Sequence, residues 1–305
     1  MKHQTPRRIN SISDFHKFRN LPMPEHPLIS VVDYALIKPG TEDESQGFIF
    51  DFYSISLKRT TNAKLIYGQQ EYDFDSGVLF FLAPNQAFNV KHSRKTTPAH
   101  TGWLLLIHPD FLWNTSLSAG IKKYEFFDYA VNEALFLSER EEILINNIIE
   151  NIEQEYRSHI DKFSQNIIIA QIETLLNYSE RFYQRQFVTR KITNHQVLQR
   201  LEEILDTHFA DTDNGLPTVR HIARELNVSP GYLGALLKSL TGMNTQQHIH
   251  EKLIARAKEE LCTTHLSVSE IAYKLGFEHL QSFSKLFKNK TGVTPQEFRQ
   301  SFKNN

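Results

Sequence analysis

Cysteine is nearly missing from this chain: Cys262 is the single one in 305 residues. An intramolecular disulfide and a cysteine-built metal site are therefore excluded. Long apolar runs are missing too. Val78–Ala83 and Trp103–Ile107 fall far short of the roughly 20 residues that cross a bilayer. The basic start, MKHQTPRRINSISDFHKF, has no apolar stretch behind it, so no secretory signal is expected and the expected location is cytoplasmic, away from membranes. There is no Gly-x-Gly-x-x-Gly run, no phosphate-binding Gly-Lys-Ser/Thr and no Gly-x-Ser-x-Gly elbow, which removes the common nucleotide-binding and serine-hydrolase signatures. No enzymatic activity and no cofactor are expected.

An excess of one charge is likewise absent. The formal net charge is −1, and over residues 194–305 basic and acidic side chains nearly balance. Nucleic-acid binding, if present, must rest on where charge sits. His279–Lys290 carries Lys285, Lys288 and Lys290 and no acid, a local basic face on a balanced background.

What is present divides the chain in two, as its length allows. Residues ~27–112 alternate in a strand-like way. ISVVDYALI, GFIFDFYSISLK, AKLIYG, SGVLFFLAPNQAFNV and TGWLLLIHPDFL are short, β-branched and aromatic, and Gly, Pro and Asn separate them. That pattern predicts a β-sandwich or barrel. From Ser138 the period becomes helical, with Ser138 and Glu141 as a capping box and Ile143, Leu144, Ile148 and Ile152 as the apolar stripe. A second helix over Phe163–Gln186 places Ile168, Ile172, Leu175, Ser179 and Phe182 on one seam. Such a seam either packs on the sheet or forms a dimer interface. The expected organisation is a β-rich and then helical domain over 1–185 (helical about 138–185), a polar connection over 186–196, and an all-helical domain over 197–305.

That last domain contains a duplication. Ile222, Ala223 and Leu226 recur as Ile271, Ala272 and Leu275, and Leu237-Lys238 with Thr241-Gly242 recurs as Phe287-Lys288 with Thr291-Gly292. Each copy is punctuated as two short helices meeting at a tight turn. Ser267 and Glu270 form a capping box, Gly276 stands at a helix end and Phe277 plugs the corner. In the first copy Ser229-Pro230 pairs an N-cap with a proline at the first helical position. Thr294, Pro295 and Glu297 repeat that signal near the C-terminus, and Ile249, Leu253, Ala257 and Leu261 form a buried stripe on the helix joining the two copies.

On these residues the chain resembles the AraC/XylS-type DNA-binding domain. The pattern is carried by Ile271, Ala272, Gly276, Phe277, Phe283, Ser284, Phe287, Lys288, Gly292, Pro295, Phe298 and Arg299. The resemblance covers about residues 197–303. The N-terminal half is only loosely similar to the cupin-like sensor and dimerisation domain of many members. The resemblance implies a sequence-specific transcription regulator, dimeric and ligand-responsive through its N-terminal domain. Its partners would be double-stranded DNA, an effector of unknown identity and, for an activator, RNA polymerase.

The resemblance further implies two recognition helices that read successive major-groove segments. In the second, the matching exposed positions are His279, Leu280, Gln281, Ser284 and Lys285. Gln281 suits an adenine edge, Lys285 guanine acceptors and Leu280 a thymine methyl, while Lys288 and Lys290 suit phosphate. In the first, Gly231, Tyr232, Gly234, Ala235 and Lys238 take the same places. This helix offers almost no long polar side chains, so base specificity is expected to lean on the second.

Two other readings remain. A metal-dependent cupin enzyme would use close histidines, but His92, His100 and His108 stand eight residues apart with no His-x-His pair. They are read as surface or lightly buried histidines, with no metal. An effector-independent DNA-binding dimer would treat the first 190 residues as a platform. Phe48, Phe50, Phe52, Tyr53, Phe80, Phe81, Phe88, Trp103 and Phe111 could line an effector cavity or simply fill a core. Lys58, Arg59, Lys64 or His92 could hold an anionic or hydroxylated ligand.

Overall fold

A computed structural model describes residues 6–37, 47–60, 65–67, 70–72, 77–88, 100–130, 133–157, 161, 163–189, 191–210 and 215–303. Contacts divide the chain into two units, Met1–Gln186 and Phe187–Asn305.

The first unit is built on strands β1 (Arg7–Ile9), β2 (Ile29–Asp33), β3 (Phe48–Phe50), β4 (Tyr53–Thr60), β5 (Leu65–Tyr67), β6 (Gln70–Tyr72), β7 (Val78–Leu82), β8 (Ala87–Phe88), β9 (His100–Ile107) and β10 (Leu135–Phe136). Its helices are α1 (Ile12–Phe18), the short α2 (Leu117–Gly120), α3 (Glu139–Arg157) and most of α4 (Ser164–Thr189). An antiparallel sheet runs β10-β7-β4-β9-β2, a mixed one runs β1-β3-β8 with β1 parallel to β3, and β5 pairs with β6. Among the described residues these sheets do not close into a barrel. The region is sheet-rich, as the alternation predicted.

Both faces of the five-stranded sheet are covered, which explains the unbroken apolar run Trp103–Ile107 in β9, where every residue is buried. Val32, Leu104 and Leu106 face α1 and the three-stranded sheet, in a core with Phe15, Phe48, Phe50 and Phe52. On the opposite face Phe81 packs at a tilt on Phe126, and Phe126 stacks with Tyr183 of α4, at centroid separations of 4.4 and 5.5 Å.

The structure corrects the expected stripe of one long helix and decides between the two readings of the other. In α3 the buried stripe is Ile145, Ile148, Ile149, Ile152 and Tyr156, while Ile143 is 55% exposed. The displaced register buries Glu142 on the apolar face, where Arg59 pairs with it and the Gly77 amide donates to it at 3.0 Å. On α4, Ile168, Ile172, Leu175, Ser179 and Phe182 are all buried within the chain itself. The seam is consumed by packing and is not left open for a second copy.

The second unit contains α5 (Lys191–Ala210), α6 (Val219–Glu225), α7 (Pro230–Thr241), α8 (Thr245–Thr263), α9 (Val268–Lys274), α10 (Leu280–Thr291) and α11 (Pro295–Lys303). The stretch 186–196, expected as a polar connection, is helical on both sides of residue 190, which lies outside the described residues. One apolar cluster holds the unit together: Leu201 and Leu205 from α5, Ile222 and Ala223 from α6, Leu233 and Leu237 from α7, the α8 stripe Ile249, Leu253, Ala257 and Leu261, and Ile271, Ala272, Phe283 and Phe287.

Candidate nucleic-acid interface

The two helical pairs repeat down to individual hydrogen bonds. α6 ends on Asn227 at φ 55, and α9 ends on Gly276 at φ 89. After each, a backbone amide reaches back to the small residue of the first helix: Val228 to the Ala223 carbonyl and Phe277 to the Ala272 carbonyl, both at 3.0 Å. α7 and α10 are 12 residues each and end on Gly242 and Gly292 in the left-handed region. Just before those glycines, Thr241 and Thr291 donate to the Leu237 and Phe287 carbonyls at 2.8 Å. The duplication in sequence is therefore a duplication of geometry.

The starts of the two candidate recognition helices differ. Ser229 caps α7, accepting from the Tyr232 amide at 3.2 Å, with Pro230 behind it. His279 stands at the cap position of α10 without a side-chain cap bond. The capping box of α9 is complete, and hydrogen bonding from the Ser267 backbone holds the Glu270 carboxyl below its ordinary range. Thr294 and Glu297 form the reciprocal pair at α11, with the same effect on Glu297. α8 opens on a further capping box, Asn244 with Gln247, whose signal in the sequence is the Asn-x-x-Gln spacing.

On α10, Phe283 and Phe287 point into the core, while His279, Gln281, Lys285 and Lys288 are exposed and Leu280 and Ser284 half-buried. Among the described residues, the side chains of Gln281 and Lys285 have no hydrogen-bond or ion-pair partner, while Lys288 makes no direct ion pair but lies near enough to Glu297 to help lower that carboxyl's pKa. Lys290 differs, since its Nζ donates to Glu251 of α8 at 3.0 Å. On α7, Lys238 is exposed, and Gly231, Tyr232, Gly234 and Ala235 are half-buried. The ring of Tyr232 meets that of Phe187 edge-on at 5.2 Å. A Cβ on Gly234 would meet nothing within 4 Å, so this part of α7 presents a low surface.

Ion pairs brace the scaffold behind the two helices. Lys252 of α8 bridges Glu202 and Asp206 of α5 at 2.8 and 2.9 Å, and Arg256 reaches Asp206 at 2.9 Å. Hydrogen bonding from Lys252 lowers the Asp206 pKa, and the same contacts, led by Glu202, raise that of Lys252. Arg299 of α11 donates to the Leu261 carbonyl at 3.2 Å, and Phe298 packs on Phe287 at 5.5 Å. These two contacts give the C-terminal Phe-Arg pair of the motif a structural role.

In the first unit, two of the four expected effector residues are committed elsewhere. Lys58 lies over the rings of Tyr34 and Phe80, at 4.9 and 5.2 Å. Arg59 pairs with Glu142. Lys64 and His92 lie outside the described residues. Of the aromatic residues, Phe48, Phe50, Phe52, Phe80, Phe81, Trp103 and Phe111 are buried, with Phe50 and Phe52 stacked at 4.8 Å. His108 caps a short helical turn, accepting from the Asp110 amide at 3.2 Å. No cluster of three metal-binding side chains occurs among the described residues, and none of their helices is long and apolar enough to cross a membrane.

Comparison with known proteins bears on the second unit. Residues 222–301 match the family model described as a helix-turn-helix domain. The Msm operon regulatory protein of Streptococcus mutans is 34% identical over 87 residues, which are 28% of this chain and 31% of that protein. The HTH-type transcriptional activator RhaR of Cronobacter sakazakii is 33% identical over 103 residues, 33% of this chain and 36% of that one. The arabinose operon regulatory protein of Escherichia coli is 29% identical over 97 residues, 32% of each chain. The matched region thus spans about a third of these relatives. Among solved structures, the C-terminal domain of AraT, a response regulator from Geobacillus stearothermophilus, is 30% identical and covers 34% of this chain and 84% of that one, with a TM-score of 0.32.

Proposed function

We propose, from the premise that residues 222–301 belong to an AraC/XylS-type helix-turn-helix domain, that the protein is a sequence-specific DNA-binding transcription regulator. α10 is its main reading helix. The observation that carries this is the row His279, Gln281, Lys285 and Lys288, exposed on a helix whose other side is locked into the core by Phe283 and Phe287. Long polar side chains without protein partners, here Gln281 and Lys285, are those able to meet base edges and phosphates without first breaking an internal bond. α7, with Gly231, Gly234 and Ala235 on its low face, approaches the groove closely and contributes Tyr232 and Lys238 at the backbone.

The sheet-rich unit is read as a cupin-like effector and dimerisation module. Its support is the pair of sheets around one aromatic core and the loose similarity noted above. With the α4 seam buried, a dimer would have to form through other surfaces of this unit.

In vitro selection of bound DNA by the full chain tests the reading. A defined motif is expected, with repeated half-sites if a dimer binds. Gln281→Ala and Lys285→Ala should each weaken binding by about 1–3 kcal/mol and relax preference at one position. Tyr232→Ala should weaken all sites alike. Selection of no motif would sink the function, and a motif relaxed by Tyr232→Ala but untouched by the α10 variants would reverse the assignment of the two helices.

A further inference from the structure

A cleft of about 420 Å³ opens in the first unit between α3 and the edge of the five-stranded sheet. It lies on the helix-covered face of the sheet, opposite the face of Val32, Leu104 and Leu106 that packs on the aromatic core. Three contacts hold it open. Arg59 and Glu142 bridge the sheet to α3 at one point. Trp103 Nε1 donates to Asn146 Oδ1 at 2.9 Å in the middle. The Val31 amide donates to the Tyr156 hydroxyl at 3.1 Å. The sheet also approaches itself closely here. Gly102 sits at φ 124, and a Cβ on it would lie 2.0 Å from the Leu57 carbonyl oxygen, so the strand backbone forms the wall that a side chain would otherwise occupy.

Cleft chemistry is one-sided. Val31, Leu57, Trp103 and Ile149 supply an apolar floor. Around it stand four carboxylates, Asp33, Glu142, Glu150 and Glu153, against the single guanidinium of Arg59. Arg59 is spent on Glu142, and Arg157 pairs with Glu153 at 2.6 Å. Asp33 accepts from the Ala35 amide at 2.8 Å, and among the described residues neither Asp33 nor Glu150 has an ion-pair partner. A preformed slot of this volume, apolar below and carrying uncompensated negative charge above, matches the general form of a small-ligand site. We infer that this cleft binds a small organic amine, its carbon skeleton on Trp103 and Val31 and its ammonium group between Asp33 and Glu150. An anionic or sugar-acid ligand is disfavoured, because it would bring charge of the wrong sign to these carboxylates.

This names a ligand class for the effector role proposed above and is independent of DNA binding. The chain has two tryptophans, and Trp113 is 71% exposed, so Trp113→Phe in the full chain leaves Trp103 as a reporter inside the cleft. Its fluorescence is titrated at constant ionic strength with 1,5-diaminopentane and n-pentylamine, and with pentanoate as the anionic control. A saturable change with the amines and none with pentanoate is expected. Glu150→Gln, an exposed position, should weaken amine binding by about tenfold through loss of a charge-assisted contact. Ile143→Gln on the outer face of α3 should leave it unchanged. No saturable response, an equal response to pentanoate, or full affinity in Glu150→Gln would each overturn the proposal. Operator binding by the same samples, measured separately, reports on the DNA-binding reading.

Discussion

At Gly276 the chain turns between two helices with φ at 89°, and a Cβ there would lie 2.4 Å from the Gly215 carbonyl carbon. Both backbone strain and a backbone clash oppose any other residue. Gly276→Ala should cost about 1–3 kcal/mol, seen as a lower melting temperature of the full chain. Asn227 occupies the same place in the first pair at φ 55, where asparagine is tolerated. Asn227→Gly should therefore change stability by only a few tenths of a kcal/mol. Equal losses at both positions would show that the close approach to Gly215 is unimportant.

Among the elements, α9 and α10 form a contrasting pair. Ser267 closes a reciprocal capping box at α9, whereas His279 makes no side-chain cap bond at α10. Ser267→Ala should cost about 1 kcal/mol in denaturant unfolding, while His279→Ala should leave stability nearly unchanged and act on DNA affinity instead. The α5–α8 brace has its own pH signature. Asp206 is held below its ordinary carboxylate value by Lys252, so its contribution is present above about pH 3.8 and is lost as pH falls through the lowered folded value. Lys252 is raised; its contribution is present below the ordinary lysine value and lost as pH rises through the folded one. The stability difference between the wild type and Asp206→Asn should thus be flat near neutrality, below about 1 kcal/mol because the pair is half-exposed, and vanish in acid. His248 behaves differently. Burial lowers its pKa, so protonating it opposes folding and stability should decline as pH drops below 6.5.

For the molecule as a whole, a net charge of −1 gives no general attraction to DNA, so affinity must come from a few placed cations. Lys238, Lys285 and Lys288 are exposed and, among the described residues, have no ion-pair partner. Binding should fall steeply with salt, and each Lys→Ala change should reduce the slope of log K against log salt by about 1. Lys290→Ala should reduce it less, since Glu251 already neutralises that charge. Filter binding or anisotropy across a salt series checks both.

The helix-turn-helix pairs were legible because their signals are local. Caps, helix-ending glycines and stripes such as Ile249, Leu253, Ala257 and Leu261 act within a few residues, and a backbone hydrogen bond needs only its neighbours in the chain. The register of α3 was misread for the opposite reason. Glu142 is buried because Arg59 of β4 and the Gly77 amide come to it across the fold, and Ile143 is thereby turned outward. The short strands β1 and β10 have no periodicity to read and exist through pairing with β3 and β7. By itself, the sequence determined the duplicated domain and the side chains that α10 offers. Tertiary structure alone decided which charges are spent, as between Lys290 and Lys285, that the α4 seam is buried, and that a cleft opens beside α3. Those outcomes depend on groups far apart in the chain meeting at a few ångströms, a distance that no local pattern encodes.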